Sequence, residues 1–199
     1  MALRTFVKVS GINNLSDARY CAGMEVNQLG FEIEENASNY TDIQKYKEIT
    51  EWLSGVEYVG EISSAHSVIK AVIEGYQLDA IQVEHIDQIN EALETGLAVS
   101  FLAHDMDSVK AAWETSGKKL AYILLDASEI DQAMLNTLSK DIPVVLASGF
   151  TAETVTELAK SDLKGIAIQG GNEIRPGYKD FDEMADILET LEIDDLADE

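Results

Sequence analysis

Eight short apolar runs alternate with eight amphipathic stretches along this chain, and that alternation limits its fold more than any single residue. The runs are Thr5–Val9, Gln28–Ile33, Val56–Ile62, Ala80–Val83, Leu97–Leu102, Leu120–Leu125, Ile142–Ala147 and Gly165–Gly171. Apolar runs of this length bounded by glycine read as strands buried on both faces. Between them lie helical patterns. Asp17–Ala22 has Asn14 or Ser16 as cap and Gly23 as stop, and Thr41–Leu53 ends at Ser54-Gly55. A third helix is expected from Ser64, with Val68, Ile69, Val72 and Ile73 on one face, and a fourth along Ile86, Ile89 and Leu93. Asp105–Thr115, Glu129–Ser139 and Thr151–Lys160 follow, and Phe181, Met184, Ile187, Leu188 and Leu191 stripe the last helix. Strict alternation implies parallel strands joined by right-handed crossovers. Eight such units predict a closed (β/α)8 TIM barrel of the phosphate-binding type. It is expected as one domain over residues 1–193, with 194–199 as an acidic tail. An open doubly wound sheet would carry a glycine-rich first turn, which is missing here.

Composition narrows the partners. Of 199 residues, 46% are hydrophobic, enough for one full core, and two prolines leave no room for long linkers. With 14 basic against 37 acidic residues the net charge is −23, so no nucleic acid and no anionic membrane is expected as a partner. The lone cysteine, Cys21, excludes an internal disulfide and any cysteine-built zinc site. No apolar run approaches the length of a membrane span, and a cytoplasmic monomer or homodimer without metal or other cofactor is the expectation.

Function is expected where the strands end. In a barrel the active site lies at the C-terminal ends of the strands, and the loops after the last two hold phosphate through backbone N–H groups and a helix N-terminus. Ser148, Gly149, Gly170 and Gly171 stand in those loops, and Thr151 is placed to cap the helix between them. They point to a phosphorylated small-molecule ligand; on the plainer alternative the glycines serve turn geometry alone. Lys8 near the mouth is either a ligand contact or half of a structural ion pair. Glu61, Glu84, His85 and His104 close strands three to five, as an acid–base set or as ordinary rim residues.

The motifs then resemble, in order and over nearly the whole chain, the phosphoribosylanthranilate isomerases of tryptophan biosynthesis. Lys8-Val-Ser-Gly-Ile12 is similar to that family's opening Lys-[Ile/Val]-Cys-Gly-[Ile/Leu], and Leu29-Gly-Phe31 to its second-strand Gly-Phe. Leu124-Leu-Asp126 matches its Leu-Leu-Asp, Leu146–Phe150 resembles Leu-Ala-Gly-Gly-Leu, and Gly177–Asp180 resembles Gly-x-Lys-Asp. The resemblance implies an Amadori isomerisation, in which an acid opens the ribose ring and a base removes the C2′ proton. It makes Asp126 the acid and puts Ser10 where the family has its cysteine base. Ala37-Ser-Asn39 stands where the family has Ser-Pro-Arg, and Ala167 where it tends to be acidic. A serine hydroxyl needs a base of its own to act. The alternative function is a phosphometabolite-binding barrel without catalysis.

Overall fold

The computed structural model describes residues 2–127, 131–170, 173–175, 178–179 and 182–193. Gly171, the start of the sixth expected helix at Glu129, Phe181 and the tail 194–199 lie outside the described residues. Eight parallel strands close into a barrel: β1 (Phe6–Ser10), β2 (Gln28–Glu32), β3 (Glu57–Ile62), β4 (Ala80–Val83), β5 (Ala98–Ala103), β6 (Tyr122–Leu125), β7 (Val144–Leu146) and β8 (Gly165–Gln169). Each pairs with its neighbour, and β8 returns to β1 with Lys8 opposite Ala167 and Ser10 opposite Gln169. The (β/α)8 reading of the alternation therefore holds.

Helices α1 (Leu15–Gly23), α2 (Ile43–Thr50), α3 (Ile69–Val72), α4 (Ile89–Leu93), α5 (Met106–Thr115), α6 (Gln132–Leu138), α7 (Val155–Leu158) and α8 (Asp182–Leu191) follow the strands. Asn14, Asp42, Asp105 and Asp131 cap α1, α2, α5 and α6, each side chain accepting from N–H groups of the first turn. Met184, Ile187, Leu188 and Leu191 are buried, as the stripe on α8 predicts. Three helices are shorter than their patterns suggest: α2 covers Ile43–Thr50 of the expected Thr41–Leu53, and α3 and α7 keep four residues each. Ser64 does not cap α3: its Oγ accepts only from the His66 N–H, at 3.4 Å, while the Ser63 and Ser64 N–H groups donate to the Glu34 carboxylate at 2.6 and 3.0 Å; α3 starts four residues late and leaves Val68 exposed. Thr151 likewise does not cap a helix over 151–160. Its N–H donates to Thr154 Oγ1 at 2.9 Å, closing a local turn, and α7 keeps only four residues. After β8, β9 (Glu173–Arg175) and β10 (Tyr178–Lys179) form a small antiparallel ladder.

The period of two along each strand sorts side chains between the helical layer and the barrel interior. Inward positions on β6 to β8 are apolar except Gln169 at the end of β8, and Tyr122, Leu124, Val145 and Ala167 form a cluster of their own. Inward positions on β1 to β5 are largely polar: Lys8, Gln28, Gln82 and Ser100 are all buried. These groups satisfy one another across the axis. Lys8 Nζ donates to Glu61 Oε1 and Gln82 Oε1, each at 2.5 Å, and to Ser10 Oγ at 2.9 Å. Glu61 Oε2 accepts the Gly11 N–H at 3.1 Å. Lower in the barrel Tyr122 donates to Gln28 Oε1 at 2.5 Å, and Gln28 Nε2 donates to Glu57 at 2.7 Å.

Lys8 is fully buried and the Glu61 side chain only 10% exposed, so removing one partner strands the other charge. Lys8→Met is expected to lose about 3 kcal/mol in urea unfolding, and adding Glu61→Leu to recover part of that loss. Closure of the barrel gives a second expectation. A methyl on Gly165 would drive into the Phe6 backbone carbonyl across the β1–β8 seam, whereas one on Gly23 meets nothing. Gly165→Ala should destabilise by about 3 kcal/mol, and Gly23→Ala should be neutral or stabilising by up to about 1 kcal/mol, in the same assay.

Candidate active site

The polar interior opens at the C-terminal ends of the strands into a cavity of about 390 Å³. Strands β1 to β4 and the residues that follow them supply Ser10, Glu32, Glu61, Ser63, Gln82 and Glu84; the opposite wall is Leu102, Leu124, Ala147, Ala167 and Ile168, with Asp126 and Gln169 at its edge. Both expected reacting residues, Ser10 and Asp126, therefore face one space. Lys8 lies beneath it, out of contact with solvent, and its three protons are directed at Glu61, Gln82 and Ser10.

The four carboxylates of the cavity differ in what they already hold. Glu61 bridges Lys8 and the Gly11 backbone. Glu32 accepts from the Asn39 backbone at 3.1 Å and from Asn39 Nδ2 at 3.0 Å, which folds the loop after β2 over the mouth. Asn39 is thus spent on Glu32. Asp126, just past β6, is exposed, and its backbone N–H is anchored on Ala103 at 2.9 Å. Glu84, just past β4, is partly buried. Burial pushes its carboxyl above the usual carboxylate range; His104 and His85 oppose that push, and Glu61 and Glu34 add to it.

The histidines stand behind the wall. His85 Nε2 lies 3.0 Å from the Ser63 carbonyl, and His104 Nδ1 lies 3.3 Å from the Asp126 carbonyl; both rings are hydrogen-bonded to backbone there as donors. Among the described residues no group of three His, Cys, Asp or Glu side chains is placed to hold a metal ion. Cys21 is buried in α1, where burial pushes its thiol up to about 12.

The glycine turns sit at the other side of the mouth. Ser148 Oγ both accepts from the Ala127 N–H and donates to its carbonyl, at 3.1 Å each, which locks the end of β7 to the residue after Asp126. Gly149 has φ +79°, a left-handed turn that suits a residue without Cβ. The Gly170 N–H donates to the Ser10 carbonyl at 2.8 Å, and a side chain at Gly170 would crowd that same oxygen. Gly170 thus stitches β8 to β1, and of the four expected phosphate residues Ser148 and Gly149 have no such commitment across the seam. Glu32, Gln82 and Gln169 were not singled out among the site residues. Their signal is the inward phase of their strands: Gln28/Glu32 and Gln82/Glu84 are polar residues four and two apart in largely apolar runs.

Among the described residues no helix is long and apolar enough to cross a membrane. The model of the N-(5'phosphoribosyl)anthranilate (PRA) isomerase family matches residues 7–190. An N-(5'-phosphoribosyl)anthranilate isomerase of Microcystis aeruginosa is 24% identical over 209 aligned residues, covering 94% of this chain and 97% of that protein. The fold matches that of the phosphoribosyl anthranilate isomerase of Thermotoga maritima, with a TM-score of 0.74 at 22% identity over 94% of this chain and 98% of the other. A phosphoribosyl anthranilate isomerase solved in complex with reduced 1-(o-carboxyphenylamino)-1-deoxyribulose 5-phosphate matches equally well, with a TM-score of 0.74 at 23% identity and the same coverage. A barrel closed in this order, with an Asp after the sixth strand and a family match over almost its whole length, belongs to the phosphoribosylanthranilate isomerase family.

Proposed function

We propose that this chain catalyses the isomerisation its family is named for, converting phosphoribosylanthranilate to its aminoketose in tryptophan biosynthesis. The observation that carries the reading is Asp126: a carboxyl at the end of β6, facing the mouth cavity, with no side-chain hydrogen bond to hold it back among the described residues. In that place it reaches a ribose ring oxygen without first breaking an internal contact. As the acid it protonates that oxygen and opens the ring. The phosphate rests on the Ser148-Gly149 turn and the loop after β8, on backbone donors, since a net charge of −23 gives an anion no long-range attraction. Lys8 supports this site from below by orienting Ser10 and Glu61. The ligand is a phosphorylated small molecule, no cofactor takes part, and the cytoplasm is the compartment that suits such a biosynthetic step.

Turnover of freshly prepared phosphoribosylanthranilate, followed by loss of anthranilate-type fluorescence, tests the reading. Wild type is expected to turn over, and Asp126→Asn to lower kcat by about 100-fold or more with little change in melting temperature. A silent wild type that still binds a phosphorylated analogue would favour a binding barrel instead.

A further inference from the structure

We propose that Glu84 is the general base of this barrel, the group that takes the C2′ proton; the inference rests on the isomerase reading above. Ser10, which stands at the position of the family's base, accepts a hydrogen bond from the Lys8 ammonium at 2.9 Å. A hydroxyl held against a cation is a poor proton acceptor. Glu61 is committed through both oxygens, to Lys8 and to the Gly11 N–H. Glu32 is committed through both, to Asn39. That leaves Glu84 and Asp126, which line the same cavity with no hydrogen bond to either carboxylate among the described residues. They follow β4 and β6, two strands apart, so about 10 Å of backbone separates them and a sugar fits between. Burial makes Glu84 a stronger base than an ordinary carboxylate once it has ionised.

The steps balance with these two groups. Asp126 gives its proton to the ring oxygen as the C1′–O bond breaks, and the nitrogen lone pair forms the C1′=N bond. Glu84 takes the C2′ proton; the C–H electron pair becomes the C1′=C2′ bond, and the imine pair returns to nitrogen. Ketonisation then passes the O2′ proton to Asp126 and the proton on Glu84 to C1′. Both carboxyls are restored, and nothing is oxidised or reduced.

The test compares the full chain with Glu84→Gln, Glu84→Ala, His85→Asn and His104→Asn on phosphoribosylanthranilate. Glu84→Gln is expected to lower kcat by about 100-fold or more while KM moves within about threefold. Added formate should restore part of the Glu84→Ala activity. Wild-type kcat should carry an ionisation above the usual carboxylate range that Glu84→Gln lacks. The titratable groups facing Glu84 are His104, His85, Glu61 and Glu34, so the two histidine variants must keep that ionisation. Stability gives an independent readout. A carboxyl raised on folding stabilises the fold while protonated, and loses that contribution as pH rises through its folded value. Glu84→Gln should therefore melt above wild type near pH 7 and level with it near pH 4. An active wild type with Glu84→Gln within about threefold overturns the role of Glu84 alone, as does an ionisation lost in a histidine variant. Lost activity that formate does not restore, with a lower melting temperature near pH 7, overturns it in favour of a structural role. A silent wild type overturns the isomerase reading and this inference together.

Discussion

A primary ammonium with no access to water sits near the axis of this barrel, and the interior is arranged around it. Lys8 reaches Glu61 and Gln82 from β3 and β4 and Ser10 on its own strand, so one charge ties three strands together beneath the site. Such a group contributes less to net stability than its short contacts suggest, because desolvation offsets much of the attraction. What it enforces is arrangement. Any packing that moves β3 relative to β1 leaves a buried charge unpaired, at a cost of several kcal/mol. Gly30 is part of the same constraint: a side chain there would occupy the space of the Glu61 carboxylate.

That arrangement divides labour among the acidic groups at the mouth. The carboxylates bound to Lys8 and Asn39 shape the floor and the loop, and those left unbound are available to move protons. On the isomerase reading proposed above, the serine at position 10, held by Lys8, leaves the demand for a base to another strand end, where burial raises the Glu84 carboxyl.

Much of this was legible in the sequence. The strand order, the Asn14 cap as one of two candidates, the stripe on α8 and the placing of Asp126 at the mouth follow from periodicity and glycine stops. The shortfall at α3 and α7 has one kind of cause. At each, the segment ahead of the helix is held by contacts of its own, Ser63 and Ser64 N–H on Glu34 and Thr151 N–H on Thr154, and the regular turns begin only after it. Such anchoring depends on contacts that no periodicity records. Gly170 carries the same lesson: its turn signal was visible, but its closeness to the Ser10 carbonyl belongs to the closing of the barrel.

The unequal lining of the cavity has a consequence for whatever enters it. Ser10, Glu32, Glu61, Gln82 and Glu84 make one wall, and Leu102, Leu124, Ala147, Ala167 and Ile168 make the other. A molecule with a flat hydrocarbon end and a hydroxylated end finds one orientation in which both ends are solvated by their own kind. Half a turn about the barrel axis would press hydroxyls against carbon and ring faces against carboxylates. The pocket therefore reads the polarity of its guest along a single direction, and sets which end of it is presented to each strand end.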